Sequence, residues 1–479
     1  MNSTKSITAV SKRKACIGWL ALLLLPGSTE LAVSTGFALD YSVLTNSVEA
    51  ARADRYEAFH NFHIKGVCGT ARLDLAAAYG ANTLRTYTPP SREQLDKYQR
   101  MGLKVIVGIW MPNQGENSGN NGTKWNFDYG EKADAQLKDF ETTLNRIGDH
   151  PATLMWGLGN EVHLDPPYLQ TVNRMSVILH RKHPKQLSSI TIINAPKDKI
   201  ALIKQHAPDL DVIGYNSYGH GAVGGASLML EREWGRAYYV SEFGPQGPWW
   251  GRKTAWGEVC EQSYDAKLDD LRKSFAKIDA APRCLGSTMF LWGCWTQQKP
   301  TYFSALLDPQ GNSKSMDDQA LYITPMAEEF CRYWSGTYPP QRGPILTRIG
   351  VQGRKDSQDP VVLAGGSFQV TASATHPGVT NAHLQYRWWI LDKSGKAVFG
   401  PVSTDQPTAQ LQAPIRPGTE YAVMAYVMSA DKRASGFTVP INVEDRPTPV
   451  EPSQPSDNPN THGVHSGNPA PKTNPESQP

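Results

Sequence analysis

The sequence predicts an α/β protein in which a (β/α)8 barrel is followed by a small all-β sandwich and a disordered tail. Its 479 residues exceed one ordinary domain and leave room for a barrel of about 250 residues plus a second folded unit. Eight short apolar runs, most followed by a helical or loop-containing stretch, occupy residues 56–340. Short alternating segments replace them after residue 344, and proline- and serine-rich sequence ends the chain.

Composition excludes two broad classes of protein. Hydrophobic residues make up 39% of the chain and charged residues 19%, which is typical of a globular protein and not of a multi-pass membrane bundle. Lys plus Arg number 48 against 45 Asp plus Glu, so the formal charge is +3. A balance this close leaves no broad basic field for a polyanion, and we expect no nucleic-acid partner.

Residues 1–38 are predicted to be a secretory signal peptide. Basic residues between Lys5 and Lys14 precede an apolar core, Ala15 to Leu25, which is too short to span a bilayer comfortably. The small residues Gly36 and Ala38 suit cleavage near Ala38, with an uncleaved N-terminal anchor as the alternative. We therefore expect an exported protein, periplasmic or extracellular.

Cleavage would leave an odd number of cysteines. Export permits disulfides, but no C-x-x-C spacing occurs, so at least one cysteine is predicted to be a buried thiol or to remain unpaired. The five are Cys68, Cys260, Cys284, Cys294 and Cys331.

Residues 39–343 are predicted to form the barrel, because continuous apolar runs separated by helices are typical of parallel strands buried on both faces. An open doubly wound sheet is the alternative, but it requires a glycine-rich phosphate turn that Gly66 to Gly69 matches poorly. The predicted strands are His63–Val67, Thr83–Tyr87, Lys104–Trp110, Thr153–Gly159, Ser189–Ile193, Asp211–Tyr215, Ala237–Ser241 and Ser287–Trp292. The clearest helical stretches are Ser91–Met101, Ala133–Ile147, Pro167–His180 and Glu261–Ile278.

Residues 344–443 are predicted to be an immunoglobulin- or fibronectin-like sandwich. Turn residues separate short β-segments at Ser367–Ala374, Leu384–Leu391 and Glu420–Ser429, and Trp388 or Trp389 is the candidate core residue. No exposed aromatic row is evident, so a packing or spacer domain is favoured over a carbohydrate-binding module. Residues 444–479, rich in Pro, Ser, Asn and Gln, are predicted to be disordered.

Two predicted strands end in unusually polar sequence. The fourth is followed by Asn160 and Glu161, and the seventh by Glu242, with glycines and aromatic residues around each. Strands four and seven lie across an eight-strand ring, so both carboxylates are expected to face one mouth. Retaining glycosidic cleavage uses such a pair, one carboxylate as nucleophile and the other as general acid and then base.

These motifs resemble those of a known group of enzymes. Gly157-x-Gly159-Asn160-Glu161 after a fourth strand and Ser241-Glu242-Phe243-Gly244 at a seventh are similar to the signatures of the clan A retaining glycoside hydrolases. The sequence of the predicted barrel most resembles the TIM-barrel domain of glycoside hydrolase family 2 and its relatives. That family usually carries sandwich domains ahead of the barrel, whereas the sandwich here follows it.

The resemblance implies a role for each matching residue. Glu161 would be the general acid/base and Glu242 the nucleophile, with Asn160 holding the sugar 2-hydroxyl. Arg85, in Asn82-Thr83-Leu84-Arg85, would orient the nucleophile, and the Tyr218 hydroxyl would donate a hydrogen bond to it. Trp292 would form the floor of the sugar subsite.

Further aromatic residues suggest how a sugar is held. Trp249 and Trp250 adjoin glycines and a proline after the seventh strand, which predicts a loop where their faces can stack on pyranose rings. Trp110 and Trp295 are further candidates, with core packing as the competing interpretation. His163 is interpreted either as a subsite hydrogen-bond donor or as an ordinary surface histidine.

The sequence therefore predicts an exported retaining β-glycosidase that hydrolyses or transglycosylates a β-linked oligo- or polysaccharide, with a β-glucan preferred. The alternative is a non-catalytic polysaccharide-binding protein on a glycosidase-like barrel. We expect no metal and no other cofactor, since the histidines lack neighbouring Asp or Cys ligands, and no obligate protein partner. A Ser-His-Asp hydrolase is disfavoured because no G-x-S-x-G elbow occurs.

Overall fold

The computed structural model describes residues 41–57, 59–111, 131–161, 164–295, 299–311, 318–353, 359–379 and 383–446. The predicted signal peptide, His163 and the predicted tail from residue 447 onward lie outside the described residues.

Eight parallel strands close into a barrel in sequence order, with the first strand paired to the eighth, so the predicted barrel is confirmed. Seven predicted strands match within about two residues at either end, which is ordinary for element boundaries. The eighth begins three residues earlier than predicted and ends before Trp292. The strands are β1 Ile64–Cys68, β2 Thr83–Arg85, β3 Lys104–Ile109, β4 Thr153–Leu158, β5 Leu187–Ile193, β6 Val212–Asn216, β7 Tyr238–Phe243 and β8 Cys284–Met289.

Helices cover the outside of the barrel, and the sequence explains several of their starts. Ser91 caps α3 through a reciprocal pair of hydrogen bonds with Gln94, and Asp165 caps α5 ahead of a proline at its first turn. The helices are α1 Tyr41–Glu57, α2 Leu73–Ala78, α3 Arg92–Arg100, α4 Glu131–Ile147, α5 Pro166–Lys182, α6 Lys197–His206, α7 His220–Met229, α8 Tyr264–Asp279 and α9 Pro325–Ser335. A π-helical turn, Leu230–Trp234, extends α7, and a 3-10 turn occupies Asp318–Ala320.

Two sheets form the sandwich that follows the barrel. The smaller has the order β11-β13-β16, and the larger has the order β15-β14-β17-β18-β10-β9 with β12 also paired to β18. The first two strands in chain order, β9 and β10, come from sequence that we assigned to the barrel. The strands are β9 Leu306–Leu307, β10 Tyr322–Ile323, β11 Ile345–Val351, β12 Val361–Leu363, β13 Ser367–Thr375, β14 Gln385–Leu391, β15 Ala397–Thr404, β16 Thr408–Gln412, β17 Gly418–Ser429 and β18 Arg433–Glu444.

Both candidate tryptophans of the sandwich are core residues, on opposite faces of β14. Trp388 packs between the two sheets with Phe368 and Val423, whereas Trp389 packs on the other face with Leu307 and Tyr426. Alternate residues of a strand point to opposite faces, so one Trp-Trp pair fills two cores. The exposed large apolar side chains in the described part of this domain are aliphatic.

Barrel and sandwich belong to one compact unit that begins at Ala50. The loop after β7 contributes directly to the contact: Arg252 donates to Asp359 of the sandwich at 2.7 Å, and the Ala255 amide donates to the same carboxylate at 3.0 Å. Glu261, paired with the buried Lys267, accepts a hydrogen bond from the Thr438 amide at 2.9 Å.

The five cysteines that follow the predicted signal peptide are all free thiols, which confirms the expectation of at least one unpaired cysteine. Across the part of the chain that the structure describes, no helix has the length and apolar character that crossing a membrane requires.

Candidate active site

Glu242 lies within β7, near its carboxyl end, and three side chains donate hydrogen bonds to it. Arg85 and Tyr87 donate to Oε1 at 2.8 and 2.6 Å, and Tyr218 donates to Oε2 at 2.8 Å. The residue is only 5% exposed. Both carboxylate oxygens are therefore fixed as acceptors in one orientation at the mouth of the barrel.

Arg85, at the end of β2, connects Glu242 on β7 with Asn160, which follows β4. One guanidinium nitrogen bonds Glu242, and the other donates to Asn160 Oδ1 at 2.6 Å. The first nitrogen also donates to the backbone carbonyl of Ser241 at 2.9 Å. Beneath it lies the buried thiol of Cys68, which donates to that same carbonyl at 3.6 Å.

Glu161 follows β4 in a backbone conformation that few side chains adopt. Its φ is 50°, and Gly159 two residues earlier has a φ of 106°. A non-glycine residue with positive φ persists only where its surroundings impose it, and such residues concentrate at functional sites. Asn216 Nδ2 donates to Glu161 Oε1 at 2.9 Å, which holds the carboxyl group toward β6.

Asn216 also links the two glutamates through the sheet. It lies opposite Glu242 in the pairing of β6 with β7, and its Oδ1 accepts a hydrogen bond from Ser241 at 2.8 Å. Its Nδ2 lies within 3.2 Å of Asn160 Oδ1 as well. One hydrogen-bonded network therefore contains both glutamates.

The tyrosines around Glu242 keep their protons. Burial raises the pKa of Tyr218 well above its usual range, and the nearby charges of Glu242 and Glu161 raise it further. Burial, with the neighbouring Cys68 and Glu242, raises the pKa of Tyr87 in the same way. Desolvation alone would lower the pKa of Arg85, but the acidic groups around it, Glu242 included, raise it well above the usual value. The site therefore presents two hydroxyl donors and one permanent cation to Glu242.

Two residues of this network were not predicted. Tyr87 ends the second apolar run and Asn216 begins the Asn216-Ser217-Tyr218 motif, yet only Tyr218 of that motif was assigned a role. Gly108 explains how Tyr87 reaches the site: a Cβ there would lie 2.7 Å from Tyr87 Cα and would collide with the Thr86 carbonyl. The small residue on β3 thus lets the segment after β2 pack closely, a relation that one sequence does not display.

Aromatic rings pack around the ring of Tyr218, whose hydroxyl bonds Glu242. Trp249 and Phe303 lie 5.5 and 4.9 Å from the Tyr218 ring, and they stack on each other at 5.9 Å with an interplanar angle of 24°. Trp249 is 58% exposed, so one part of its ring faces solvent at the mouth. Phe290, directly after β8, packs edge-on to Tyr218 at 6.1 Å.

Trp292 does not lie where the resemblance implied. It is fully buried and packs between Tyr79 and Trp334, and its indole nitrogen bonds the carbonyl of Arg72 at 3.4 Å. The physical reason is that β8 ends at Met289, so the chain has turned away before Trp292 and packs that side chain in the core. Phe290 is the aromatic residue that β8 brings to Tyr218.

The remaining predicted residues are placed as follows. Trp250 is 64% exposed on the loop after β7, and it lines a groove beside Tyr218. Trp110 is exposed after β3, whereas Trp295 is half-buried against Phe290. His163 is outside the described residues. Within the described ranges, no group of three or more His, Cys, Asp or Glu residues is arranged to hold a metal ion.

Comparisons with protein-family models and with curated proteins found no match. Among solved structures, the chain is similar to a β-glucuronidase from Bacteroides uniformis at a TM-score of 0.41 and 14% identity, over 81% of this chain and 46% of that one. It is similar to a putative β-galactosidase from Bacteroides fragilis at 0.39 and 12%, over 78% and 51%. A glycosyl hydrolase family 2 member from Bacteroides cellulosilyticus gives 0.38 and 16%, over 79% and 46%.

This chain thus spans about half the length of the solved structures that it matches. Family 2, whose motifs the sequence resembles, is also the family named among them. The assignment of the barrel fold is based on the strand topology described above.

Proposed function

We propose that this protein is a retaining β-glycosidase that acts on a β-linked oligo- or polysaccharide by double displacement. The observation that carries the proposal is the network at the barrel mouth. It fixes Glu242 with three donors and holds Glu161 through Asn216. A salt bridge serving stability alone would need neither two neutral tyrosine donors on one carboxylate nor a strained glutamate beside it.

In the first step, a Glu242 oxygen attacks the anomeric carbon while the bond from that carbon to the leaving oxygen breaks. Glu161 gives its proton to that oxygen, so the leaving group departs as an alcohol. Arg85, Tyr87 and Tyr218 hold the attacking carboxylate in place. The product is a glycosyl ester of Glu242.

In the second step, Glu161 removes a proton from a water molecule or from a sugar hydroxyl, and that oxygen attacks the same carbon. The ester bond breaks and Glu242 returns to the carboxylate. Two inversions at one carbon give net retention. Water gives hydrolysis, and a sugar acceptor gives transglycosylation by the same residues.

Exposed aromatic rings support a sugar chain as substrate, with a β-glucan as the finer proposal. Trp249 and Trp250 present exposed apolar faces near Tyr218, whose hydroxyl bonds Glu242. Such faces pack on the C–H face of pyranoses whose hydroxyls are equatorial, while the rest of the ring keeps its hydrogen bonds.

The direct test is activity on a panel of activated aryl β-glycosides and on soluble β-glucans, followed by release of aryl alcohol or of reducing ends. We expect turnover with retention of anomeric configuration by NMR, and covalent labelling of Glu242 by an activated fluoro-sugar. Glu242→Gln should abolish both, whereas Glu420→Gln in the sandwich should change neither. Labelling of a different carboxylate would refute the assignment.

Glu161 is tested by Glu161→Ala. A substrate with a good leaving group needs no acid, so this variant should show a burst of aryl alcohol followed by slow turnover, and azide should restore the second step. A folded variant with neither burst nor rescue would remove Glu161 from the mechanism. Binding of β-glucan by the parent protein without any turnover would instead support the non-catalytic alternative.

Export belongs to the same proposal and is supported by the basic and apolar segments that open the sequence. Expression of the full chain in a secreting bacterium, with mass spectrometry of the exported protein, should give a new amino terminus near residue 39. An intact amino terminus on cytoplasmic protein would contradict it.

A further inference from the structure

We propose that the groove on both sides of Trp250 binds the leaving-group side of the sugar chain, so that the same groove also receives a sugar acceptor. This inference rests on the proposed function and extends it from the reacting bond to the substrate beyond that bond.

The side of the mouth follows from Glu161. The leaving oxygen must lie beside the group that protonates it, and the Glu161 carboxyl is held toward β6 by Asn216. Strand β5 lies between β4 and β6 in the barrel. Its end meets β6 through a hydrogen bond from the Asn194 amide to the Asn216 carbonyl at 3.0 Å. Ser217 donates to Asn194 at 2.6 Å. The leaving group therefore departs over the ends of β5 and β6.

A groove lies on that side of the barrel, and Tyr218 of the Glu242 network is part of its lining. Its first cavity, of about 340 Å³, is lined by Tyr218, whose hydroxyl bonds Glu242, and by His220, Gln246 and Trp250. The second cavity, of about 640 Å³, shares Trp250 and runs along Asn194. Protein pockets for small ligands enclose about 300–1,000 Å³, so each cavity is large enough for a sugar ring.

The first cavity presents a fixed polar group beside an aromatic face. Asp270 accepts from the His220 ring Nδ1 at 2.5 Å and from the His220 amide at 2.8 Å. The bond to a carboxylate assigns the proton to Nδ1, so Nε2 is an acceptor when the ring is neutral. No described residue bonds Nε2, and the side chain is 46% exposed. His220 and Trp250 line the same cavity, so Nε2 is available to a hydroxyl of a ring stacked on Trp250.

Asp270 also makes the groove a preformed one. Its second oxygen accepts from the Gln246 amide at 3.1 Å, so one buried carboxylate on α8 ties the loop after β6 to the loop after β7. The same Gln246 amide also donates to the side-chain oxygen of Gln262 at 3.1 Å. Little ordering remains for the ligand to impose, which favours binding.

The second cavity is mainly apolar, with polar groups at its rim. Pro196, Ala222 and Met229 are among its apolar lining residues, and Asn194 and Lys199 are among its polar ones. This mixture suits a ring with one apolar face and hydroxyls around it. The first cavity is lined by Tyr218, and the second shares Ala222 and Trp250 with the first. This connection to the tyrosine that bonds Glu242 is the reason to assign the groove to the substrate rather than to a separate ligand.

The test separates the acceptor side from catalysis. The donor is the best activated aryl β-glycoside from the panel above, which forms the glycosyl-enzyme with a small leaving group. Cellobiose, laminaribiose and gentiobiose are then added as acceptors, and the ratio of transfer to hydrolysis is measured by chromatography. We expect transfer to at least one disaccharide that saturates with its concentration.

In Trp250→Ala the ratio should fall about tenfold, the usual cost of truncating a central aromatic contact. His220→Ala should lower the ratio for the same acceptor, and Trp250→Phe should restore part of the loss. Ile415→Ala, at an exposed site on the sandwich, is the matched control and should leave the ratio unchanged. A ratio within one variant is insensitive to any general loss of active protein.

The outcomes distinguish the two proposals. If no activated glycoside is turned over, the proposed function fails and this inference fails with it. If the donor is turned over but no disaccharide accepts the glycosyl group, or if Trp250→Ala leaves the ratio unchanged, only the groove assignment is overturned.

Discussion

Tyr87 and Tyr218 make the Glu242 site asymmetric at the level of single atoms. Each hydroxyl bonds a different carboxylate oxygen, and Arg85 shares the oxygen that Tyr87 bonds. In the proposed first step, the attacking oxygen gives up part of its hydrogen bonding as the ester forms, while the other oxygen keeps its donors. The tyrosines therefore make the two oxygens unequal in that proposed step, and they fix the position of the carboxylate.

Tyr218→Phe should lower kcat/KM on an activated glycoside by about 10- to 100-fold, since a hydrogen bond to a charged group contributes about 1.5–3 kcal/mol. Tyr386→Phe, a buried tyrosine of the sandwich, serves as the control and should leave kcat/KM unchanged. Stopped-flow release of aryl alcohol measures the step directly. A Tyr218→Phe variant with the parent rate would show that this bond does no more than pack the site.

The pH profile gives an independent check on the same group. Because its pKa is raised well above the usual range, Tyr218 stays protonated through the alkaline limb of activity. Tyr218→Phe should therefore lower the plateau of kcat/KM without moving the alkaline limb. An alkaline limb that shifts in the variant would mean that Tyr218 itself titrates there.

At this scale, the structure brings together the two predicted glutamates, whose sequence signal is local, whereas packing decides the positions of Tyr87 and Trp292. Glu161 and Glu242 were visible because a carboxylate directly after apolar strand residues is conspicuous. Tyr87 was hidden because its approach depends on Gly108 of the next strand. Trp292 was misplaced because β8 ends at Met289, before Trp292, and Trp292 is buried in the core. Tertiary contacts, and not composition, set the end of that strand.

At the scale of elements, one buried carboxylate fastens the amino-terminal side of the barrel. Asp211, just before β6, accepts from Arg55 of α1 at 2.7 Å, from His180 of α5 at 2.8 Å and from the Ser188 amide of β5 at 2.9 Å. Burial alone would raise the pKa of Asp211, but the hydrogen bonds and positive charges of these partners lower it.

Asp211→Asn should destabilise the fold by about 3–5 kcal/mol near neutral pH, because it leaves buried charges without their partner. Because the pKa of Asp211 is lowered in the folded protein, its carboxylate stabilises the fold at pH values above about 3.9, the pKa of an unfolded Asp. This stabilisation is lost as the pH falls through the folded pKa. Urea unfolding should show a shallower acid dependence in the variant than in the parent.

Asp149→Asn is the matched control for that measurement. Asp149 pairs with Arg92 on the surface, where both side chains are at least half exposed, so its loss should cost about 0–1 kcal/mol. Equal losses in the two variants would show that Asp211 has no special place in the fold.

Element boundaries were predictable to different degrees. Strands of the barrel are buried on both faces, so their apolar runs coincide with them closely. The short strands β9 and β10 carry two residues each and gain their pairing only by joining a sheet formed mostly of sequence far along the chain. No local pattern marks such a strand, because its stability is entirely tertiary.

At the scale of the whole molecule, the sandwich anchors the loop that carries part of the proposed binding surface. Asp359 fixes Arg252 and Ala255, on the same loop as Trp249 and Trp250. The packing that we expected of this domain therefore reaches the loop that carries Trp249 and Trp250.

Asp359→Ala should lower kcat/KM on an oligosaccharide by about 3- to 10-fold, mainly through KM, because the loop loses two anchoring bonds of about 1 kcal/mol each. Asp392→Ala, within a turn at the exposed end of β14, is the control. Initial rates against substrate concentration give the split between kcat and KM. A fall in thermal stability with unchanged KM would limit Asp359 to the domain contact.

Cys68 gives the molecule a built-in reporter of its own opening. The thiol is buried beneath Arg85, and burial raises its pKa, so alkylating reagents meet neither an accessible nor an ionised sulfur in the closed barrel. Its labelling rate, followed by mass spectrometry against the partly exposed Cys260, thus measures how often the barrel opens far enough to expose this thiol. A covalent sugar on Glu242 should lower the rate of Cys68 alkylation. That rate would then report how often the active site opens during turnover.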